Sequence, residues 1–247
     1  MTTKKIIYLG VFLGALTAVS TGLLSKVNDM TQAPREAQKV KNTNDAIKKV
    51  LPPYDKIVKQ IVVGTSEGKS VVLIDNKKNK ADVAKLKDVV RFFCAAGKDG
   101  KIVGLAGLGA TNKGYGGKVV AMVGLLPDGA INTVYITEQH ETPGLGTVVT
   151  DRKRKKTIFT LLGKDKVDLT QIPPNKILDA YKGHKVSDKD SWGTVWAVKK
   201  DGGKADFITG ATISSRAVCG VVYDIASTYM KHGKEIEKLI KSKEQGE

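Results

Sequence analysis

From Ile6 to Ser25 the chain runs through twenty consecutive positions without a charged side chain, IIYLGVFLGALTAVSTGLLS. At ~1.5 Å per helical residue, that run matches the ~30 Å hydrocarbon core of a bilayer. Lys4 and Lys5 precede it, so the positive-inside bias keeps the short N-terminus in the cytoplasm and sends the rest of the chain across. A cleaved signal peptide is the competing reading. Its apolar region would usually span about 7–15 residues and end at small residues such as Ala18-Val19-Ser20. The length of the run favours an uncleaved anchor, and no cysteine stands just after it to take an acyl chain.

Beyond the apolar run, Ala37, Val40, Ala46, Ile47 and Val50 predict a connecting helix over Arg35 to Leu51, stopped by Pro52-Pro53. Short β-rich runs follow. Val71 to Asp75, Val89 to Ala95 and Ile102 to Ala106 read as strands, the last two joined as a hairpin through Gly97-Lys98-Asp99-Gly100. A second hairpin runs Val119 to Leu126, Pro127-Asp128-Gly129, Ala130 to Thr137. A further strand, Thr194 to Val198, is expected to end at Asp201-Gly202-Gly203.

The strongest helical pattern follows Thr212, with Ala217, Val218, Val221, Val222, Ile225 and Tyr229 on one face. Lys231 and His232 suit its last turn, with Gly233 as cap. The expected architecture is α+β: a cytoplasmic N-terminus and anchor over 1–26, a linker helix over 27–51, and one extracytoplasmic domain of antiparallel hairpins and packed helices over 52–247.

Charge narrows the possible partners. Lys and Arg number 41 against 25 Asp and Glu, a formal net charge of +16, which draws a protein to nucleic acid, anionic lipid or an acidic partner. The densest run, Arg152-Lys153-Arg154-Lys155-Lys156, holds no aromatic residue for base stacking, and no zinc-finger or RNP spacing accompanies it. The pattern reads as a basic face near lipid head groups or a partner subunit, with no nucleic acid. Cys94 and Cys219 are too far apart for CxxC chemistry and too few for a cysteine zinc site. They fit one disulfide or two buried thiols equally well. His140, His184 and His232 stand far apart.

Chemistry concentrates in Asp206-Phe207-Ile208-Thr209-Gly210-Ala211-Thr212-Ile213-Ser214-Ser215-Arg216. With Thr212 as N-cap, Ser214 and Ser215 fall in the first turn, where orphan backbone N–H groups and the positive dipole end favour a phosphate. Gly210 and Ala211 keep side-chain bulk away. Taken alone, the same residues are also an ordinary serine-threonine cap.

This segment resembles the flavinylation motif of the FMN-binding domain family, Asp-x-x-Ser/Thr-Gly-Ala-Ser/Thr-x-Ser/Thr. Asp206, Thr209, Gly210, Ala211 and Thr212 occupy the fixed places and Ser214 the acceptor place. The resemblance implies that a separate flavin transferase, recognising a motif that includes Asp206, esterifies the phosphate of FMN to the Ser214 hydroxyl. The family's usual acceptor is threonine; serine is a competent alcohol for the same ester. Ser215 and Thr212 are lesser candidates.

A second resemblance covers Gly114-Tyr115-Gly116-Gly117 and Glu141-Thr142-Pro143-Gly144-Leu145-Gly146-Thr147, with the clear hairpin between them. These segments are similar to the G-type subunit of Rnf-type complexes. The Glu-Thr-Pro-Gly-Leu-Gly element is shared with the C-type subunit of sodium-pumping NADH:quinone reductases. The resemblance implies that Glu141, Thr142, Leu145, Gly146 and Thr147 lie against the flavin, with Tyr115 nearby. It also implies electron transfer within an inner-membrane complex that links ferredoxin and NAD to ion movement, with other membrane subunits and lipid as partners and no turnover by this chain alone. A tethered assembly or binding subunit without flavin is the alternative from another class. No GxSxG surrounds Ser214 or Ser215, and Asn112 replaces the third glycine of a dinucleotide fingerprint after Gly107-Leu108-Gly109.

Overall fold

The computed structural model describes residues 3–76, 78–152, 172–185, 187 and 196–241. Helix α1 runs unbroken from Thr3 to Val50, through Pro34, and its basic last turn carries Lys48 and Lys49. From Ile7 to Met30 every side chain on it is exposed. By length and composition this helix can cross a membrane. It ends before Pro52, as the paired prolines predict, because the residue preceding a proline is driven out of the α region.

Among the described residues six strands follow: β1 (Lys56–Ser66), β2 (Lys69–Ile74), β3 (Lys87–Ala96), β4 (Ile102–Gly114), β5 (Gly117–Leu125) and β6 (Ile131–Glu138). They form one antiparallel sheet in the order β2-β1-β3-β4-β5-β6. Short helices α2 (Lys80–Val83), α3 (Gly146–Thr150) and α4 (Lys176–Asp179) precede a long helix, α5 (Thr212–Lys241). The α+β expectation holds, and both predicted hairpins are present.

Period-two alternation divides the sheet's side chains between two cores. Along β3, Phe92 and Cys94 join the larger cluster while Phe93 and Ala95 join the smaller; along β5, Ala121 and Val123 oppose Met122 in the same way. The larger cluster packs under α5, through Val218, Val221, Val222, Ile225 and Tyr229, the face read from the sequence. Ala46, Ile47, Val50 and Leu51 cover the other side. There Gly124 is required by a close approach, since a Cβ on it would sit 2.0 Å from the Val50 carbonyl oxygen. Asn132 Nδ2 donates to that carbonyl at 2.7 Å.

The pair Gly107 and Gly109 serves the same purpose under α5. A Cβ on Gly107 would meet Ile225 Cγ2 at 2.4 Å, and one on Gly109 would meet Ile225 Cγ1 at 2.8 Å. These glycines seat the helix on the sheet.

Three expectations need correction. Gly233 does not cap α5, which continues to Lys241. Ile236 is fully buried and Leu239 and Ile240 pack on the larger core. Burying one such side chain stabilises by about 1.5–3 kcal/mol, more than the ~1 kcal/mol cost of a helical glycine. Lys59 Nζ reaches the Leu239 carbonyl at 2.7 Å, placing a cation at the negative end of the dipole.

The expected strand Thr194 to Val198 does not form among the described residues. Residues 194 and 195 lie outside them, Val198 makes an isolated bridge to Ala205, and Lys199–Asp201 is a 3-10 turn. The basic run divides as well. Arg152 is no surface residue, with a side chain 3% exposed and ion-paired to Asp179 at 2.7 Å, and its guanidinium donates to the Val134 and Pro173 carbonyls. Lys153 to Lys156 lie outside the described residues.

Cys94 and Cys219 are two separate buried thiols. Burial pushes Cys94 up to about 12 and Cys219 up to about 11.

Candidate functional site

The site forms where the β4–β5 hairpin, the loop before α3 and the start of α5 converge. Gly114 pairs with Gly117 across the hairpin end, leaving Tyr115 and Gly116 at the tip. The tip presses on the following loop: a Cβ on Gly116 would fall 1.8 Å from the His140 carbonyl oxygen, and one on Gly114 would fall 2.5 Å from Glu141 Oε1. Only glycine fits at either place.

The loop is held by its own polar groups. The Glu141 N–H donates to Gln139 Oε1 at 2.6 Å, and the Gly144 N–H donates to Thr147 Oγ1 at 2.9 Å. Gly144 has a φ of 79°, in the left-handed region that favours glycine. Asn175 accepts from the Ile177 and Leu178 N–H groups, capping α4, while its Nδ2 donates to the carbonyls of Val148, Val149 and Asp151. The short helix α3 is thereby tied to α4.

The start of α5 is prepared by a turn. The Ala211 N–H donates to the Ile208 carbonyl at 2.9 Å, and Gly210 at its third position has a φ of 86°, which explains glycine there. The helix begins at Thr212 itself, so the cap position falls one residue earlier than expected, on Ala211, whose carbonyl accepts from the Ser215 N–H. Ser215 Oγ accepts from the Ile208 N–H at 3.2 Å and donates to the Ala211 carbonyl at 2.9 Å. That hydroxyl locks the turn to the helix.

Ser214 points elsewhere. It is 1% exposed, and its Oγ donates to Glu141 Oε2 at 2.7 Å. Glu141 itself is 5% exposed. Its Oε2 also accepts from the Gly116 N–H at 3.3 Å, while Oε1 is buried without a hydrogen-bond partner. Gly146 closes over both, with its Cβ position 2.5 Å from Glu141 Oε2 and 2.9 Å from Ser214 Oγ.

An open cleft of about 460 Å³ is lined by Tyr115, Glu141, Thr142, Leu145, Gly146, Lys200, Gly210, Ala211, Thr212, Ile213 and Ser214. Nine of the residues singled out in the sequence therefore meet in one place, from segments far apart in the chain. Three do not line it. Thr147 is buried behind the loop and lines a neighbouring cavity of about 330 Å³ with Val148, Asp151 and Ile208. Thr209 is exposed in the turn. Asp206 is ion-paired with Lys199.

Lys200 and Ile213 also line the cleft, and sequence reasoning does not single them out. Ile213 occupies a free position of the motif. The only sequence signal at Lys200 is its proximity to Asp201-Gly202-Gly203, the expected end of a strand.

A family model described as the FMN-binding domain matches residues 114–227, which contain every element of this cleft. The G-type subunit of the ion-translocating oxidoreductase complex of Salmonella typhi is 32% identical over 215 residues, covering 86% of this chain and 85% of that protein. Its counterpart from Haemophilus influenzae (strain 86-028NP) is 31% identical over 88% of this chain and 85% of its own length. That from Cereibacter sphaeroides (strain ATCC 17023) is 27% identical over 92% and 85%. In shape, the crystal structure of Shewanella oneidensis NqrC aligns with a TM-score of 0.46 at 20% identity, over 74% of this chain and 85% of that one. Sequence identity sustained across most of both chains decides the kinship: the chain belongs to the family of G-type subunits of the ion-translocating oxidoreductase complex.

Proposed function

We propose that the chain is the membrane-anchored electron-transfer subunit of an ion-translocating oxidoreductase complex, and that it carries FMN through a phosphoester to Ser214. The observation that carries this reading is the 2.7 Å hydrogen bond from Ser214 Oγ to Glu141, which joins the acceptor motif to the glycine-rich loop inside a single cleft.

The residues present fit the group. The cleft falls within the ~300–1,000 Å³ usual for ligand sites. The first turn of α5 offers unpaired N–H groups and the positive dipole end to a phosphoryl oxygen. Tyr115, Leu145 and Ile213 expose apolar surface at the mouth, where a ring face can pack. Glu141 Oε1, buried and unpartnered, is an acceptor awaiting a donor. When bound, FMN supplies one- and two-electron chemistry.

The chain's part is to tether, place and shield. Ser214 fixes the phosphoryl end, Gly114, Gly116 and Gly146 let the backbone come close, and Glu141 orients the Ser214 hydroxyl before the ester exists. Asp206 belongs to the segment presented to a flavin transferase. The charge-free run holds the chain in the inner membrane with Lys4 and Lys5 inside, so that the domain over 52–247 works on the extracytoplasmic side, beside the other membrane subunits.

Expression with a flavin transferase tests the reading. A denatured band that fluoresces, with an intact mass raised by one esterified FMN, is the expected result. Fluorescence lost on denaturation would contradict the ester. A reporter fused after Glu247 should behave as extracytoplasmic, and a cytoplasmic signal would overturn the orientation.

A further inference from the structure

We propose that Lys200 supplies the counter-charge for the phosphoryl group at Ser214, and that the loop carrying it is built to hold it there; the inference rests on the covalent reading above.

Of the residues lining the cleft, Lys200 is the one basic side chain among the described residues. An ester at Ser214 leaves a phosphodiester with about one negative charge. That charge arises beside Glu141, whose carboxylate oxygen lies 2.7 Å from the atom to be esterified. A phosphoryl anion taken out of water in so buried a place is costly unless a cation faces it. The dipole end of α5, equivalent to roughly half a charge, offsets only part. Without an anion, a lysine beside a helix N-terminus is on the unfavourable side of the dipole; with the phosphoryl group present, lysine and dipole act together.

The loop shows why Lys200 stays in place. The Lys199 N–H donates to the Ala205 carbonyl at 2.8 Å, and the Ala205 N–H donates to the Ala197 carbonyl at 3.1 Å. Gly202 has a φ of 85°, in the left-handed region that favours glycine, and a Cβ on Gly203 would fall 2.0 Å from the Ala197 carbonyl oxygen, so the turn depends on glycine at those two places. Both neighbours of Lys200 are anchored. Arg216 donates to both oxygens of Asp201 at 2.6 Å, a fork that ties the turn to the first turns of α5. Lys199 pairs with Asp206. The motif's aspartate therefore has a second task in the folded domain, which is to steady the loop that brings Lys200 to the cleft.

The test uses the full chain in detergent, made with and without the flavin transferase, and reads the rise in unfolding midpoint that flavinylation produces. Lys200→Gln should keep the midpoint of the flavin-free form and lose at least half of the rise. Lys200→Arg should keep the rise, as should Lys101→Gln, a control on the exposed β3–β4 turn. Salt should narrow the gap between wild type and Lys200→Gln, since a charge contact is screened. An undiminished rise, or an equal loss in both forms, would overturn the proposal. Should Lys200→Gln take up no flavin, normal uptake by Lys200→Arg would support the charge requirement, and failure of both would move Lys200 to transferase recognition and overturn it. A wild-type chain with no covalent flavin would instead sink the reading of Ser214, and this inference with it.

Discussion

In its first turn, α5 buries two hydroxyls, Ser214 and Ser215, each 1% exposed, whereas its later turns bury Ile225, Tyr229 and Ile236. The later turns behave as a core helix. Their apolar area leaves water, glycines at 107 and 109 make room on the sheet, and each buried side chain contributes about 1.5–3 kcal/mol. The first turn gains little from burial, because each hydroxyl must be re-paired on leaving water. Ser215 achieves this fully, with one donor and one acceptor on the preceding turn. Ser214 faces a carboxylate that keeps an unpartnered oxygen. A helix start selected for stability alone would not retain that arrangement, and the comparison assigns stability to one end of the helix and chemistry to the other.

The largest expected effect lies in the stability end. Ile225→Ala should destabilise the domain by about 2–5 kcal/mol, through lost transfer free energy and the cavity beside Phe92, measured by denaturant unfolding. A loss below about 1 kcal/mol would mean that the close seating on Gly107 and Gly109 matters little. Next, Ser215→Ala should cost about 1–3 kcal/mol, since it leaves the part-buried Ile208 N–H without its acceptor, yet flavin should still attach at Ser214. Loss of attachment with unchanged stability would reverse the roles given to the two serines.

Much of this division was legible in the sequence. The apolar face of α5 was readable because 3.6-residue periodicity survives wherever one side of a helix is buried. β1 was not. Ile61, Val62 and Val63 are consecutive and all buried, so both faces of the strand are covered there and it shows an apolar run in place of alternation. The end of α5 was misplaced because Gly233 gives a strong local stop signal, while the burial of Ile236 is a tertiary effect. At the cleft, Ser214, Glu141 and the glycines were found through motifs. Lys200 was not, since its place depends on the Arg216–Asp201 and Lys199–Asp206 ion pairs on either side of it, which no local pattern announces.

A smaller effect concerns pH. Buried Cys94 and Cys219 ionise only toward about 12 and 11 in the folded chain, against 9.0 when unfolded. Below about 9 both states hold the thiol protons and stability is intact. As pH rises further the unfolded chain releases them first, so stability should fall through the alkaline range. A thiol reagent at neutral pH should label neither cysteine until the domain is denatured. Rapid labelling of the native protein would show that the core around β3 and α5 is looser than the packing indicates.

Ser214→Ala suits a first helical turn and should leave the domain folded, at a cost of about 1–3 kcal/mol for the hydrogen bond lost to buried Glu141, and it accompanies the largest expected change in function. The decisive measurement is tandem mass spectrometry of the tryptic peptide 205–216 from protein made with a flavin transferase, beside the same peptide from Ser214→Ala. One FMN phosphoester localised to Ser214, and none anywhere on the variant's peptide, is the result predicted here. An FMN ester on Thr212 or Ser215, or one that persists on the peptide of Ser214→Ala, would contradict it.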